Sequence, residues 1–111
     1  MKEEINTENS KAQMRKGFLE FCILVIISGH ESYASEIIDK LRDADLIVVE
    51  GTLYPLLSRL KANGLVSYSW MESPFGPPRK YYQLTDKGRE TLEQLKETWS
   101  KLSKSINSLL K

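Results

Sequence analysis

The sequence has very little of the chemistry that enzymes and metal sites require. Among 111 residues there is one cysteine, Cys22, and one histidine, His30. This pair cannot form a Cys/His zinc site, a single cysteine excludes an intrachain disulfide, and a Ser-His-Asp arrangement is not indicated. Gly76 lies in a proline-rich turn and not before a helix, so it does not indicate a phosphate-binding loop. We therefore predict no catalytic residue, no metal and no cofactor.

Long hydrophobic runs are also missing. The longest strongly apolar run, Phe21 to Ile27, is far shorter than the ~20 residues that a membrane-spanning helix needs. Residues 1–10 are mostly polar and include acidic residues, unlike the start of a secretory signal. We therefore expect a cytoplasmic protein with a flexible N-terminus over residues 1–10.

What is present is the composition of one small globular domain, with 41% hydrophobic and 28% charged residues. The net charge of +1 says little about partners, but the charge is unevenly distributed. Residues 31–49 contain five acidic and two basic residues, whereas residues 50–80 contain four basic and two acidic ones. A weakly charged protein can bind DNA if its cations gather on one face, so residues 50–80 are the candidate region.

The spacing of apolar residues predicts three helices in the first half of the chain. The first, Lys11 to Ser28, is apolar nearly all round in its second half, which indicates burial on several sides, and a partner subunit is one way to supply the second side. The second covers about Tyr33 to Asp43, with Ser32 as its N-cap. The third, about Thr52 to Asn63, has inward leucines at i, i+3, i+4 and i+7 and ends at Gly64 in a left-handed conformation.

The second half of the chain predicts a hairpin followed by a long helix. Val66–Trp70 and Arg79–Leu84 read as strands, and Ser73–Pro78 as a long turn-rich loop that continues neither of them. Thr85 caps a last helix, Asp86 to Lys111. The fold class is therefore mainly α with a two-stranded β-wing. A winged helix-turn-helix domain covers residues 11–85, and a C-terminal dimerisation helix covers residues 86–111.

Two long motifs resemble those of PadR-type transcriptional regulators. The first is EGTLYPLLSRL at residues 50–60, followed by Gly64-Leu65-Val66, and the second is GPPRKYYQLTDKG at residues 76–88. The resemblance covers about residues 12–92 and, because only 26 residues follow Thr85, it is to the short branch of the family. It implies a homodimer, joined through the first and last helices, that represses transcription at palindromic operators. Small-molecule effectors release some members, and some short members bind aromatic compounds at a dimer-centre pore lined by a tryptophan.

The third helix is the candidate recognition helix, because the second helix of a helix-turn-helix pair enters the major groove. Its exposed hydroxyl and basic side chains can bind base edges or phosphate, and the two cations after the Gly-Pro-Pro turn suit a wing. The predicted DNA-binding residues are Thr52, Tyr54, Ser58, Arg59, Lys61, Arg79 and Lys80. The alternatives are an ordinary solvated helix face, a solubilising edge strand, or a protein-interaction module that lacks sequence-specific DNA binding.

The last helix has apolar residues at spacings of 3, 4, 3, 4 and 3, which is typical of a coiled-coil seam. The predicted homodimer interface is this seam with Phe18 of the first helix: Leu92, Leu95, Trp99, Leu102, Ile106 and Leu109. The alternative is packing within one domain only. Two copies of Trp99 near the dimer axis would sandwich a planar aromatic effector between walls formed by Met14 and Phe18. The alternative for Trp99 is plain core packing.

Overall fold

The computed structural model describes residues 7–111, which form four helices and one two-stranded antiparallel sheet. In chain order the elements are α1 (Thr7–Gly29), α2 (Ala34–Asp43), α3 (Glu50–Ala62), β1 (Val66–Ser73), β2 (Gly76–Leu84) and α4 (Asp86–Leu110). This order confirms the expected mainly α fold with a two-stranded wing. Since α1 begins at Thr7, it overlaps the segment expected to be flexible at residues 7–10. The remainder of that segment lies outside the described residues.

One hydrophobic core joins the first three helices to the base of the hairpin and to the first turns of α4. Each element contributes its apolar face, and the core includes Ile23, Leu24, Ile37, Leu41, Leu53, Leu57, Leu60, Val66, Leu84 and Leu92. All of these side chains are fully or nearly fully buried. Because α3 and the hairpin share this core, the two elements predicted to contact DNA are held at a fixed distance from each other.

The helix-end signals at Gly64 and Thr85 are confirmed. Gly64 has a φ of +77°, and its N–H donates to the Lys61 carbonyl at 2.9 Å, as expected for a glycine that ends a helix. The Thr85 hydroxyl oxygen accepts from the Gly88 N–H at 3.0 Å and donates to the Gly64 carbonyl at 2.6 Å. Thr85 therefore caps α4 and ties its start to the end of α3.

Ser32 is not the N-cap of α2, so that prediction is wrong. Its side chain is fully buried, and its hydroxyl donates to the His30 carbonyl at 3.0 Å. Its backbone exchanges two hydrogen bonds with Tyr82 of β2, at 3.0 and 2.8 Å. The N-cap is Tyr33, whose N–H donates to Glu36 Oε1 at 3.1 Å. Pairing with a strand fifty residues away decided the role of Ser32, and no local signal predicts such pairing.

The long loop predicted at Ser73–Pro78 is also wrong. β1 continues to Ser73 and β2 begins at Gly76, which leaves only two residues between the strands. The register shifts between Met71 and Ser73, so the ladder contains a bulge near the two prolines of β2. Proline is tolerated at bulges and on free strand edges, because an outward-facing nitrogen has no ladder partner to lose. The wing is therefore a long, nearly continuous hairpin.

Gly88, in the first turn of α4, allows this helix to pack closely against the backbone of Leu65. A Cβ on Gly88 would overlap the Leu65 carbonyl oxygen, whereas a Cβ on Gly17, an exposed position in α1, would have no neighbour within 4 Å. We expect Gly88→Ala to lower the free energy of unfolding by about 3 kcal/mol, the upper end of the usual overpacking cost. Gly17→Ala is the matched control and should raise it by about 0.5–1 kcal/mol. Urea unfolding followed by circular dichroism measures both free energies. If Gly88→Ala changes the free energy of unfolding by less than about 1 kcal/mol, α4 can move away from Leu65 at little cost.

Candidate nucleic-acid interface

The exposed surface of α3 has two sides. Its four leucines are buried, which leaves the remaining positions at the surface. Tyr54, Ser58 and Lys61 face the hairpin and line the clefts that α3 forms with Lys80. Three of the five DNA-binding residues predicted on α3 therefore lie on the side of the helix that faces the wing.

Thr52 and Arg59 lie on the other side of α3, towards α1. Both line clefts between α3 and the first half of α1. Arg59 Nε lies 3.2 Å from Glu20 Oε1, and the Arg59 side chain is mostly exposed. Exposed ion pairs of this kind are weak, so a phosphate can compete with Glu20 for the guanidinium. The structure thus separates these two predicted residues from the others.

Arg79 and Lys80 are adjacent in β2 and project from opposite faces of the hairpin, because side chains alternate along a strand. Lys80 is on the face directed towards α3, where its Nζ lies 4.5 Å from the ring centroid of Tyr68 and 5.4 Å from that of Trp70. On the other face, Arg79 Cζ lies 4.4 Å from the ring centroid of Tyr33. Each wing cation is therefore held against an aromatic ring.

A cleft of about 390 Å³ joins the start of α2, the side of α3 and the wing. Aromatic rings and two cations dominate its lining, which includes Tyr33, Tyr54, Trp70, Arg79, Lys80 and Tyr82. Burial is the main cause that raises the pKa of Tyr82, and the neighbouring Tyr54 and Tyr68 raise it further. The Tyr82 hydroxyl therefore stays protonated at neutral pH.

Tyr54 is the one aromatic residue of this cleft that was predicted from the sequence to bind DNA; Tyr33, Trp70 and Tyr82 were not. The signal that would have identified Trp70 and Tyr82 is the clustering of aromatic and basic residues in one hairpin: β1 contains Tyr68 and Trp70, and β2 contains the run from Arg79 to Tyr82. Aromatic rings beside cations are a common feature of nucleic-acid-binding surfaces. Tyr33 could not be placed in the cleft in this way, because it lies far from the wing in sequence.

The seam of α4 is divided into two parts. Leu92 is 2% exposed, and Leu95 is half-buried against the core of its own domain. Beyond them Leu102 and Ile106 are each 44% exposed, and Leu109 is 84% exposed. The second part of the seam is therefore largely exposed to solvent in the single chain.

Trp99 lies between these two parts of the seam. Its ring contacts Phe18 of α1 edge-on, with 5.2 Å between centroids and an interplanar angle of 77°. Trp99 nevertheless keeps 44% of its surface exposed, and Met14, one turn before Phe18, is also exposed. The three residues predicted to form an effector site are thus on one side of the molecule, with one aromatic contact formed among them.

Other types of site have no support among residues 7–111. No group of three or more histidine, cysteine or acidic residues there is arranged to hold a metal ion. None of the helices in that range is both long and apolar enough to cross a membrane. Burial raises the pKa of the Cys22 thiol, so little reactive thiolate is present at neutral pH.

Comparison with known proteins identifies the family. The model of the transcriptional regulator PadR-like family matches residues 23–94. A PadR-like transcription factor from Bacteroides fragilis is 55% identical, with a TM-score of 0.77 over 91% of this chain and 98% of that chain. A PadR-like transcriptional regulator from Bacillus cereus is 45% identical, with a TM-score of 0.80 over 89% of this chain and 97% of its own. A Streptococcus transcriptional regulator is 35% identical, with a TM-score of 0.81 over 89% and 98% of the two chains.

These relatives are transcriptional regulators and not enzymes, in agreement with the chemistry predicted from the sequence. The two motifs at residues 50–60 and 76–88 both lie within the matched region. This chain belongs to the PadR-like family of transcriptional regulators.

Proposed function

We propose that this protein binds a palindromic operator as a homodimer and represses transcription from it. Regulation of transcription follows from family membership. The observation that supports DNA binding is the shared surface formed by Tyr54, Ser58 and Lys61 of α3 with the two wing cations. Hydroxyl and ammonium groups on a helix can reach base edges and phosphates. A regulator that binds DNA must have access to it, so we also propose a cytoplasmic location.

The dimensions of the wing suit such a complex. The nine residues of β2 extend about 30 Å at 3.3–3.4 Å per residue, whereas the major groove is about 12 Å wide. With α3 in the major groove, the hairpin therefore reaches the adjacent backbone or the minor groove. Arg79 and Lys80 lie along this hairpin, where they would neutralise phosphates.

Dimerisation would determine the form of the operator. Two recognition helices related by a two-fold axis bind half-sites about 34 Å apart, or about 10 base pairs, in inverted repeat. A dimer bound across a promoter excludes RNA polymerase from it, and repression is the result that we propose.

Selection from a random double-stranded DNA library tests this proposal. Purified protein at low salt should enrich an inverted repeat, and a reporter with that repeat across its promoter should lose expression when the protein is present. A rise in expression would make the protein an activator. Failure to retain any duplex at low salt would favour the alternative, a winged-helix module that binds another protein.

We further propose that a planar aromatic effector binds between the two copies of Trp99 and releases the operator. In a variant with Trp70→Phe, Trp99 is the remaining tryptophan, and titration with ethidium should quench its fluorescence to saturation because the flat dye stacks on the indole. Trp99→Ala should abolish dye binding, measured by the fluorescence of the dye, and leave the dimer intact. Equal dye binding by the alanine variant, or no quenching of Trp99, would mean that this tryptophan is only packed core.

A further inference from the structure

Tyr33 occupies the junction between the helices and the wing. It is the N-cap residue of α2, with an extended backbone, and its N–H is held by Glu36 Oε1 at 3.1 Å. The preceding residue, Ser32, is joined to Tyr82 of β2 by two backbone hydrogen bonds. The backbone of Tyr33 is therefore fixed on both sides, and its half-buried ring starts from a well-defined position.

The ring of Tyr33 contacts Arg79 and Tyr81, which lie on the face of β2 opposite to the one directed towards α3. Its centroid lies 5.1 Å from that of Tyr81, at an interplanar angle of 68°, which is an edge-to-face contact. Arg79 Cζ lies 4.4 Å from the Tyr33 centroid, well within the range of a cation–π interaction. Arg79 and Tyr81 are two residues apart in a strand, so one ring at the start of α2 contacts two successive side chains on the same face of β2.

This contact leaves the guanidinium available to a ligand. Ordering a free arginine on a phosphate costs conformational entropy, because its long side chain samples many rotamers. Stacking on an aromatic ring reduces that freedom but uses only the flat face of the guanidinium, so the N–H groups at its edge can still donate. Although Arg79 projects from the opposite face of the hairpin to Lys80, it also borders the cleft that Tyr54 and Lys80 line, and this cleft is part of the proposed DNA-binding surface.

We propose that Tyr33 is a positioning residue for DNA binding, whose ring holds the Arg79 guanidinium in the orientation that DNA requires. The inference rests on the proposed function, because it needs Arg79 to contact DNA. It assigns a role in recognition to a residue outside both the recognition helix and the wing.

A double-mutant cycle tests this role. The variants are Tyr33→Leu, Tyr33→Phe, Arg79→Ala and the combination of Tyr33→Leu with Arg79→Ala, and the measurement is the dissociation constant for a 30-base-pair duplex by fluorescence anisotropy. Tyr33→Leu should weaken binding about threefold to fivefold, the factor that corresponds to an exposed cation–π contact. Tyr33→Phe keeps the ring and should bind like the unmodified protein. With Arg79→Ala already present, Tyr33→Leu should have no further effect.

A measurement without DNA separates the possible failures. In the free protein, ring-current shifts of the Arg79 Hδ protons report the contact with Tyr33 by NMR, and Tyr33→Leu should remove them. If the unmodified protein does not bind DNA, the proposed function fails and this role fails with it, even where the NMR shifts are present. If DNA binds but the shifts are absent, only the positioning role fails.

Three further results would overturn the inference. One is an equal loss from Tyr33→Leu with and without Arg79, which would mean that Tyr33 acts independently. Another is a Tyr33→Phe variant as weak as Tyr33→Leu, which would assign the effect to the hydroxyl. The third is tighter binding by Tyr33→Leu, which would mean that the ring holds Arg79 away from DNA. If Tyr33→Leu does not fold, Tyr33→Met replaces it, because methionine fills similar space without a ring.

Discussion

We expect the double variant Leu102→Glu/Ile106→Glu to be a folded monomer. Both side chains are 44% exposed in the single chain, so the new carboxylates remain in water when the chain is alone. In the proposed dimer they would be buried against the partner's seam, and burying unpaired charge is strongly unfavourable. Light scattering after size-exclusion chromatography gives the mass, and circular dichroism reports whether the helices remain.

The shape of the chain supports this result. α4 has 25 residues, so it is about 37 Å long at 1.5 Å per residue, and the molecule is elongated, with extents of 56 × 34 × 25 Å. The second half of α4 therefore extends past its own core, and its apolar residues need a partner to be covered.

Two controls make the dimer experiment specific. Ser100→Glu/Asn107→Glu adds the same charge to exposed positions on the far side of α4 and should leave the dimer unchanged. Leu92→Glu changes a residue that is 2% exposed and should unfold the domain itself. A folded Leu102→Glu/Ile106→Glu variant with the mass of a dimer would contradict the proposed interface.

The double variant Arg79→Ala/Lys80→Ala should bind every DNA sequence more weakly and with a flatter salt dependence. Each lost phosphate contact reduces the slope of log K against log salt by about 0.9, so two contacts reduce it by about 1.8. If the two affinities are equal at 1 M salt, a slope difference of about 1.8 corresponds to about sixtyfold weaker binding at 0.1 M salt. Anisotropy titrations at several salt concentrations measure both quantities.

Single variants add a test that the structure makes possible. Arg79 and Lys80 project from opposite faces of the hairpin. If only one face of the wing contacts DNA, either Arg79→Ala or Lys80→Ala, but not both, should reduce the slope of log K against log salt. Lys101→Ala/Lys104→Ala removes the same charge from exposed positions of α4 and should leave the slope unchanged. An unchanged slope in the wing variant would mean that the wing does not touch phosphate.

The sequence by itself determined the elements and several of their ends. The leucine spacing of α3 predicts its buried face, because a helix places i, i+3, i+4 and i+7 on one side whatever surrounds it. Gly64 and Thr85 act through hydrogen bonds within a few residues, so their capping roles were also predictable. The dimer seam, the operator contacts and the effector site remain proposals that began with the same kind of pattern.

Only the tertiary structure decided which of these residues meet. Ser32 pairs with Tyr82 instead of capping α2, the proline-rich segment continues the hairpin, and Arg59 turns towards α1. The Arg79 guanidinium lies over the ring of Tyr33, a residue 46 positions away. Each of these outcomes depends on contacts between distant segments, whose energies arise from packing and long-range backbone pairing. Local periodicity and capping signals contain no information about such contacts, and they could be found only once the chain was folded.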